Sequence, residues 1–553
     1  MKNIKIISII VLLFVINNKV NSQNWQWANN AGGVSSDFGG FSCTDANGNI
    51  YVTGNIGVPS ANFQTDTPIV NGINDIYFAK YDNGGNEIWV KHFGGSYNDQ
   101  FNQKYEGARN PVFDPVSNCI YVTGSFIGSC TIGSFNLFAS LGFSDREIFI
   151  AKFDLNGNCI WAKSAGSNGD DEVTSIYVNS NGDILISGTV KYPASFDTVS
   201  ISNGGFIAKY NSAGNCFFAK IICNGITLFS GAAGAVHSIN NYSNSLYLLI
   251  GKWADTLTID TSTIIIPNNY SFVLAKFDLN GNIQSYKVCG GPNPEYGELS
   301  IDNSGNCYFV SRFFGGTAIF DTDTIHATGT TDFFFAKYDQ NLNYQWVQQS
   351  HASNNARAIG CSSDANGNVY ISGSFSGNAT FGTFNITSIT TEDMFIARYD
   401  NNGNCIGVRH EGQGIGYGVL TTQDGSCIVT GTYNGNITFG SIPTLTGYGG
   451  NDIFIAKSDA ITGIGEERIA NNELIIYANP NQGKCNVTVP DDFVNETNLI
   501  LSIYDNTGKL IQQKTLEMND GTVKLNLEQE AKGVYNVVLS NKKKSYNGKI
   551  VFE

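Results

Sequence analysis

Short apolar runs, rich in β-branched and aromatic residues and bounded by Gly, Asn and Asp, fill residues 23–460 and predict strands. One run recurs seven times: DIYFAKYD (75–82), EIFIAKFD (147–154), GFIAKYN (205–211), FVLAKFD (272–278), DFFFAKYD (332–339), DMFIARYD (393–400) and DIFIAKSD (452–459). Its cation stands at Lys80, Lys152, Lys209, Lys276, Lys337, Arg398 and Lys457, with gaps of 72, 57, 67, 61, 61 and 59 residues. Self-similarity at such a period marks one supersecondary unit used repeatedly.

Upstream of each copy lies a second run, as in NIYVTG (49–54), CIYVTG (119–124) and NVYISG (368–373). Between the two fall short segments centred on Phe63, Phe196, Phe320, Phe381 and Phe439, and a further run follows, as in NEIWVKHFGG (86–95) and NCIWAKSAG (158–166). Taking these as the four strands of each unit gives the blade of a β-propeller. The turn between the last two strands, Asp154-Leu155-Asn156-Gly157-Asn158, recurs at 82–86, 278–282 and 400–404. Its Asn and Gly tolerate positive φ, and its Asp bonds its own backbone. It also resembles part of a calcium loop, but lacks the closing bidentate Glu.

The last strand follows an AKYD run only six times, because Asp459 leads into AITGIGEE. The missing copy stands near the start, where Asn24-Trp25-Gln26-Trp27 aligns with Asn86-Glu87-Ile88-Trp89 and Gly32-Gly33 with Gly94-Gly95. The expectation is an all-β, seven-bladed β-propeller over 23–460, closed by its N-terminal strand and so rid of an exposed edge. On D-x-x-G-N-x-Y-V-T-G (Asp45 to Gly54, Asp364 to Gly373) and D-x-F-x-A-K-Y-D, the units resemble the SBBP (seven-bladed β-propeller) repeats of secreted bacterial proteins. That resemblance implies a fold and no common activity.

Past Asp459 the pattern changes. A linker over 461–472 precedes alternating strands in 473–553, which predict a small Ig-like β-sandwich. Asn479-Pro480-Asn481-Gln482-Gly483, Tyr504-Asp505 with Gly508-Lys509, Gly533-Val534-Tyr535 and Lys549-Ile550-Val551 resemble the type A C-terminal sorting domain of the type IX secretion system of Bacteroidetes. Ala478 departs from the Pro usual there. The resemblance implies passage through the periplasm to the cell surface or medium, with the type IX machinery as partner.

The start agrees with export. Lys2 and Lys5 precede the apolar run 6–16, and small Ser22 follows, so residues 1–22 read as a signal peptide. Eleven apolar residues span only ~16 Å as a helix, too short for a membrane, and no later run reaches 18, so no transmembrane segment is expected in the mature chain. The net charge is −15. The leader contributes +3 and residues 461–553 contribute −2, leaving −16 on 23–460, which argues against nucleic acid.

Chemistry is harder to find. Cys159, Cys216 and Cys405 share one repeat position, as do Cys307 and Cys427, so the 12 cysteines read as packing residues with few or no disulfides. No C-x-x-C, H-E-x-x-H, G-x-S-x-G or phosphate loop occurs, and no cofactor or metal is expected. His92 and His410 are equivalent positions, held by Ser164 and Ile221 elsewhere. The repeated Lys, beside the repeated Asp, reads as an inter-strand or inter-blade pairing residue that serves the scaffold.

Function is sought in what does not repeat. The connection 96–118 is the longest departure, and Asp99, Phe101, Tyr105 and Arg109 within it are the candidate ligand-binding residues. Asp37, Asp170, Asp171, Glu172, Glu295 and Glu298 are expected to form an acidic rim beside it. The reading is a non-catalytic binding or scaffold module for an unknown extracellular protein or glycan. The alternatives are a secreted polymer-degrading hydrolase or lyase, and a self-assembling surface-layer component.

Overall fold

The computed structural model describes residues 25–95, 111–140, 145–223, 235–252, 256–259, 262–266, 271–291, 295–422, 425–461, 474, 476–477, 480–489, 493, 499–505, 509–516, 521–541 and 545–553. The leader at 1–22 lies outside them, as does the linker at 462–472. The chain divides into two compact units, Met1–Gly465 and Glu466–Glu553.

The first unit is a β-propeller of four-stranded antiparallel sheets. Phe38–Thr44, Ile50–Gly57, Asn74–Tyr81 and Glu87–Phe93 pair in that order. The order recurs in Val112–Asp114, Cys119–Ile127, Arg146–Asp154 and Cys159–Ala165, then in Glu172–Val178, Ile184–Val190, Gly204–Tyr210 and Cys216–Cys223. It recurs again in Ala235–Tyr242, Ser245–Lys252, Ser271–Asp278 and Ile283–Cys289, and in Glu295–Ile301, Cys307–Phe313, Asp332–Tyr338 and Tyr344–Ala352. Asn355–Ser363, Val369–Ser376 and Asp393–Tyr399 lead to the long strand Cys405–Thr421. One part of that strand completes their sheet, and the other opens the next with Cys427–Ile437 and Leu445–Ser458. The outermost strand of this last sheet is Trp25–Ala31, from the other end of the unit.

The first strand of each sheet is innermost and touches the first strands of its neighbours; Phe38–Thr44 touches both Val112–Asp114 and Cys405–Thr421. This corrects the strand assignment made from sequence. The YVTG and AKYD runs pair directly, with Val52 opposite Ala79 and Val122 opposite Ala151. The Phe segments form separate hairpins, such as Ser129–Ile132 with Phe135–Phe138 and Ala194–Phe196 with Val199–Ile201. The physical reason is burial. The central strands are covered on both faces, so their apolar runs are continuous, whereas Phe38–Thr44 holds a Gly pair and is mostly half-buried, which leaves it little signal.

Neighbouring sheets are clasped by the repeated Lys and Trp. Lys80 Nζ donates to the Leu155 carbonyl at 3.1 Å, Lys152 to Ser212 O at 3.2 Å and Lys337 to Asn401 O at 3.1 Å. The acceptor is the outer turn of the next sheet, so of the two pairings expected from sequence it is the one between sheets that these Lys make. The repeated Asp is already engaged, since Asp154 Oδ1 accepts the Asn156 and Asn158 N–H groups and Oδ2 accepts the Asn158 amide. Lys209 departs by pairing with Asp183 at 2.8 Å. The Trp ring rests on the same turn: Trp161 Nε1 donates to Ser212 O at 3.1 Å and Trp346 Nε1 to Asn401 O at 3.3 Å.

Residues from opposite ends of the unit reproduce this clasp. Trp27 lies opposite Lys457, as Trp89 lies opposite Lys80. Trp27 Nε1 donates to Asn83 O at 3.1 Å and Lys457 Nζ to Asn83 Oδ1 at 2.6 Å. Gly85, at φ +85, packs under Trp27, where a Cβ would stand 2.5 Å from the ring. Trp25 is buried against Phe439 with ring centroids 4.8 Å apart, and Trp27 is only half-buried.

In the second unit Ile476–Tyr477, Lys484–Thr488 and Thr522–Asn526 form one sheet. Leu510–Thr515, Ile500–Tyr504, Gly533–Ser540 and Ser545–Phe552 form the other. Both contribute to one core containing Val487, Ile503, Leu525, Val537 and Leu539. The Asn481 backbone N–H bonds the Val551 carbonyl at 2.9 Å, so the NPNQG turn is tied to the last strand.

Removing residues 25–33 should uncover the edge of Leu445–Ser458 and produce an aggregating protein with a lowered melting temperature. Trp25→Ala alone should cost ~3–5 kcal/mol in urea unfolding of the full chain. A truncated protein that stays monomeric at unchanged Tm contradicts this.

Candidate functional site

Antiparallel order puts the turns between first and second strands on the same face as those between third and fourth. They share one chemistry: Asp82 accepts the Gly84 and Asn86 N–H groups, and the Asn86 side chain holds its carboxyl below the usual range. Asp45 does the same for Asn47 and Asn49, and also accepts the Tyr51 hydroxyl at 3.1 Å. This face is nearly uniform. The opposite face carries the remaining connections, which vary in length and composition, and is the candidate binding face.

Asp99, Phe101, Tyr105 and Arg109, the candidate ligand-binding residues, lie outside the described residues. What is described is the point of departure, where the Gly94 carbonyl accepts the Thr131 N–H at 3.1 Å from the next sheet's hairpin. Asp99 stands five residues after Gly94, as Asp37 does after Gly32 and Asp171 after Gly166. That register was a usable sequence signal, and it was missed.

Asp37 and Asp171 correct the expected acidic rim, because both are fully buried. Asp37 accepts the Gly33 N–H at 2.7 Å and the Gly57 N–H at 2.8 Å. Asp171 accepts the Ser167 hydroxyl at 2.8 Å and the Lys191 N–H at 3.0 Å, and also bonds the Ser167 N–H. Each carboxylate thus latches an inter-sheet connection to the end of a second strand. Burial pushes both up to about 7, against the N–H donors that pull them down; Asp452 beside Asp37 and Glu147 beside Asp171 add repulsion. Asp170 is exposed and 3.5 Å from Arg146 Nε, Glu172 and Glu298 are half-buried, and the Glu295 side chain is not among those described.

The same latch presents different side chains. The Asp37 loop carries Val58, half-buried against the core, whereas the Asp171 loop carries half-buried Lys191 and Tyr192, the latter 49% exposed and packed on Gly169. Asn168 and Asp170 are exposed beside them.

Among the described residues, carboxylates stand beside His92 and His410. His92 Nδ1 is 2.7 Å from Asp75 and His410 Nδ1 is 3.1 Å from Asp393. Both carboxylates also cap loops, Asp75 through the Asn71 N–H and Asp393 through the Ile389 and Thr390 N–H groups. The equivalent Asp332 caps Thr328 and Ala352 without histidine, so loop capping is the shared role. The histidines are thus partners of buried carboxylates, at positions that Ser164 and Ile221 hold in other sheets. Burial pushes the Cys159 and Cys405 thiols up to about 12, far from thiolate chemistry. Among the described residues no three of His, Cys, Asp and Glu stand together as a metal site would require.

Residues 475–553 match the secretion system C-terminal sorting domain. This domain carries export by the type IX system to the cell surface or medium, and makes that machinery a partner. The chain is 24% identical over 510 residues to an uncharacterized WD repeat-containing protein of Acanthamoeba polyphaga mimivirus, covering 74% of this chain and 36% of that protein. The chain thus spans about a third of the length of this relative. It is also similar to the solved Dos1 propeller, at 8% identity and TM-score 0.36, covering 79% of this chain and 94% of that one. A glycoside hydrolase family 32 structure from Bifidobacterium adolescentis matches at 8% identity and TM-score 0.23, covering 95% of each chain. Neither likeness bears on what this chain binds. No helix among the described residues is long and apolar enough to cross a membrane.

The raised carboxyls of Asp37 and Asp171 set a pH dependence. A carboxyl with its folded pKa near 7 and its unfolded pKa near 3.8 contributes stability that is present below pH ~4 and lost as pH rises through ~7. Urea unfolding of the full chain should therefore show stability falling from pH 4 to 7, and Asp37→Asn should flatten that slope. An unchanged slope in the variant would remove Asp37 as its source.

Proposed function

We propose that this protein is a seven-bladed propeller, closed by Trp25–Ala31 as the outer strand of the last blade, that acts outside the cell as a non-catalytic binding or scaffold module. Residues 1–22 are its signal peptide, 23–460 the propeller, 461–472 the linker, and 473–553 an Ig-like sandwich that serves as the sorting domain. One observation carries the reading. The groups best suited to catalysis, namely His92, His410, Asp37, Asp75, Asp171 and Asp393, are engaged in latching the scaffold, while the exposed and variable side chains are rings and charges suited to recognition.

Expressed in a host with a type IX system, the full chain should reach the surface or medium, and a form lacking 475–553 should stay in the periplasm. The full chain should bind a protein or glycan on an array and release no product from it. Turnover of a bound polymer would replace this reading with the hydrolase or lyase alternative.

A further inference from the structure

Two kinds of partner recur beside the acids that open the AKYD runs. Three residues past the position of Trp89 the outer strand carries His92 beside Asp75, and at the equivalent place His410 beside Asp393. Asn30 and Ser164 hold that position in the sheets of Asp452 and Glu147, and there a second carboxylate faces the acid instead: Asp37 for Asp452, Asp171 for Glu147. Asp171 Oδ2 and Glu147 Oε1 lie 2.5 Å and 3.1 Å from the point a Cβ on Gly166 would occupy. The Asp37 pair stands where the chain leaves the terminal strand Trp25–Ala31 of the last sheet and enters the first.

Both carboxylates of this pair are fully buried. Asp452 Oδ1 lies against Gly32, where a Cβ would come 1.9 Å from it, and Asp37 Oδ2 accepts the N–H of the next residue, Gly33, at 2.7 Å. Asp37 Oδ1 accepts the Gly57 N–H, and its own backbone N–H donates to the Asn451 carbonyl at 2.7 Å. Asp452 Oδ2 accepts the Tyr448 N–H at 2.8 Å. Of the four carboxyl oxygens, Asp452 Oδ1 alone has no donor. The titratable groups around the pair are phenols, Tyr433 with Tyr448 on the Asp452 side and Tyr77 on the Asp37 side. Among the described residues no cation stands beside either carboxylate.

Two carboxyls packed together away from water and without a cation do not both ionise at little cost. We propose that this junction is a proton-operated latch, in which one proton held on Asp452 Oδ1 lets the two carboxyls pack together and its loss frees the Ala31 end of the terminal strand. It operates whatever ligand the unit takes. The orphaned oxygen is where the proton sits, because the other three already receive N–H groups. Burial pushes Asp37 up to about 7 against its N–H donors, with Asp452 adding repulsion, and burial raises Asp452 as well. The latch is therefore fully closed below pH ~4, the ordinary carboxyl range, and is lost as pH rises through ~7. The Trp27 end stays held, since Trp27 and Lys457 both bond Asn83.

The test is hydrogen exchange of the full chain at pH 5 and pH 8.5, read as protection factors corrected for the intrinsic rate. Peptides covering 28–33 should lose at least ~10-fold in protection between the two, a factor of ten per pKa unit setting the scale. The outer strand Tyr344–Ala352 is the reference, because its acid, Asp332, meets hydroxyls and an N–H group, and it should change by less than ~2-fold. Asp452→Asn reproduces the protonated carboxyl and should keep 28–33 protected at pH 8.5. Asp37→Asn sets an amide NH₂ against an N–H donor and should lower protection at pH 5 too. Constant protection of 28–33 in the natural protein, or an equal loss in Tyr344–Ala352, overturns the latch without recourse to any variant. Locking by Asp37→Asn but not by Asp452→Asn overturns the placement of the proton.

Discussion

Every sheet in the propeller depends on its neighbour, and the pairing of Trp25–Ala31 with Leu445–Ser458 is where that dependence meets the free end of the unit. A sheet edge left unpaired offers a row of backbone donors and acceptors to any other chain. The segment that covers this edge also brings Trp27 and, through Lys457, the same turn clasp that joins consecutive sheets elsewhere. The Gly32–Asn62 backbone pair, at 3.1 Å and 2.7 Å, then ties its far end to the first sheet's hairpin. The terminal strand thus makes contacts of the same kind as internal outer strands such as Cys159–Ala165 and Tyr344–Ala352.

The same economy shapes the search for function. A propeller of short sheets has many strand ends, and each end leaves polar backbone groups that must find partners. Asp37, Asp75, Asp171, Asp332 and Asp393 supply them at five of the connections. Buried carboxylates and histidines that would elsewhere suggest an active site are thereby accounted for as latches. What remains for recognition is whatever a latch displays, and that differs sharply between the Val58 and Tyr192 loops although their hydrogen bonds are alike.

The C-terminal unit follows a simpler rule. Its alternation of buried and exposed positions, clearest in Thr522–Asn526 and Lys484–Thr488, builds one small core from two sheets. Its matched family ties it to export rather than to ligand binding.

The amino-acid pattern by itself determined the repeat, the doubly buried YVTG and AKYD strands, the D-x-N-G-N turns, the missing outer strand at Trp25–Trp27 and the sorting tail. These are local or strictly periodic, so equivalent residues stand in equivalent surroundings. Only the tertiary structure decided which strand is innermost, because Phe38–Thr44 owes its place to neighbouring sheets and carries few large apolar side chains of its own. It also decided that Lys80 reaches a carbonyl 75 residues away in the next sheet, and that Asp37 and Asp171 are latches instead of a rim. Burial and partner choice between sheets depend on which strand ends meet in space, and residues far apart along a chain do not encode that meeting in their local pattern.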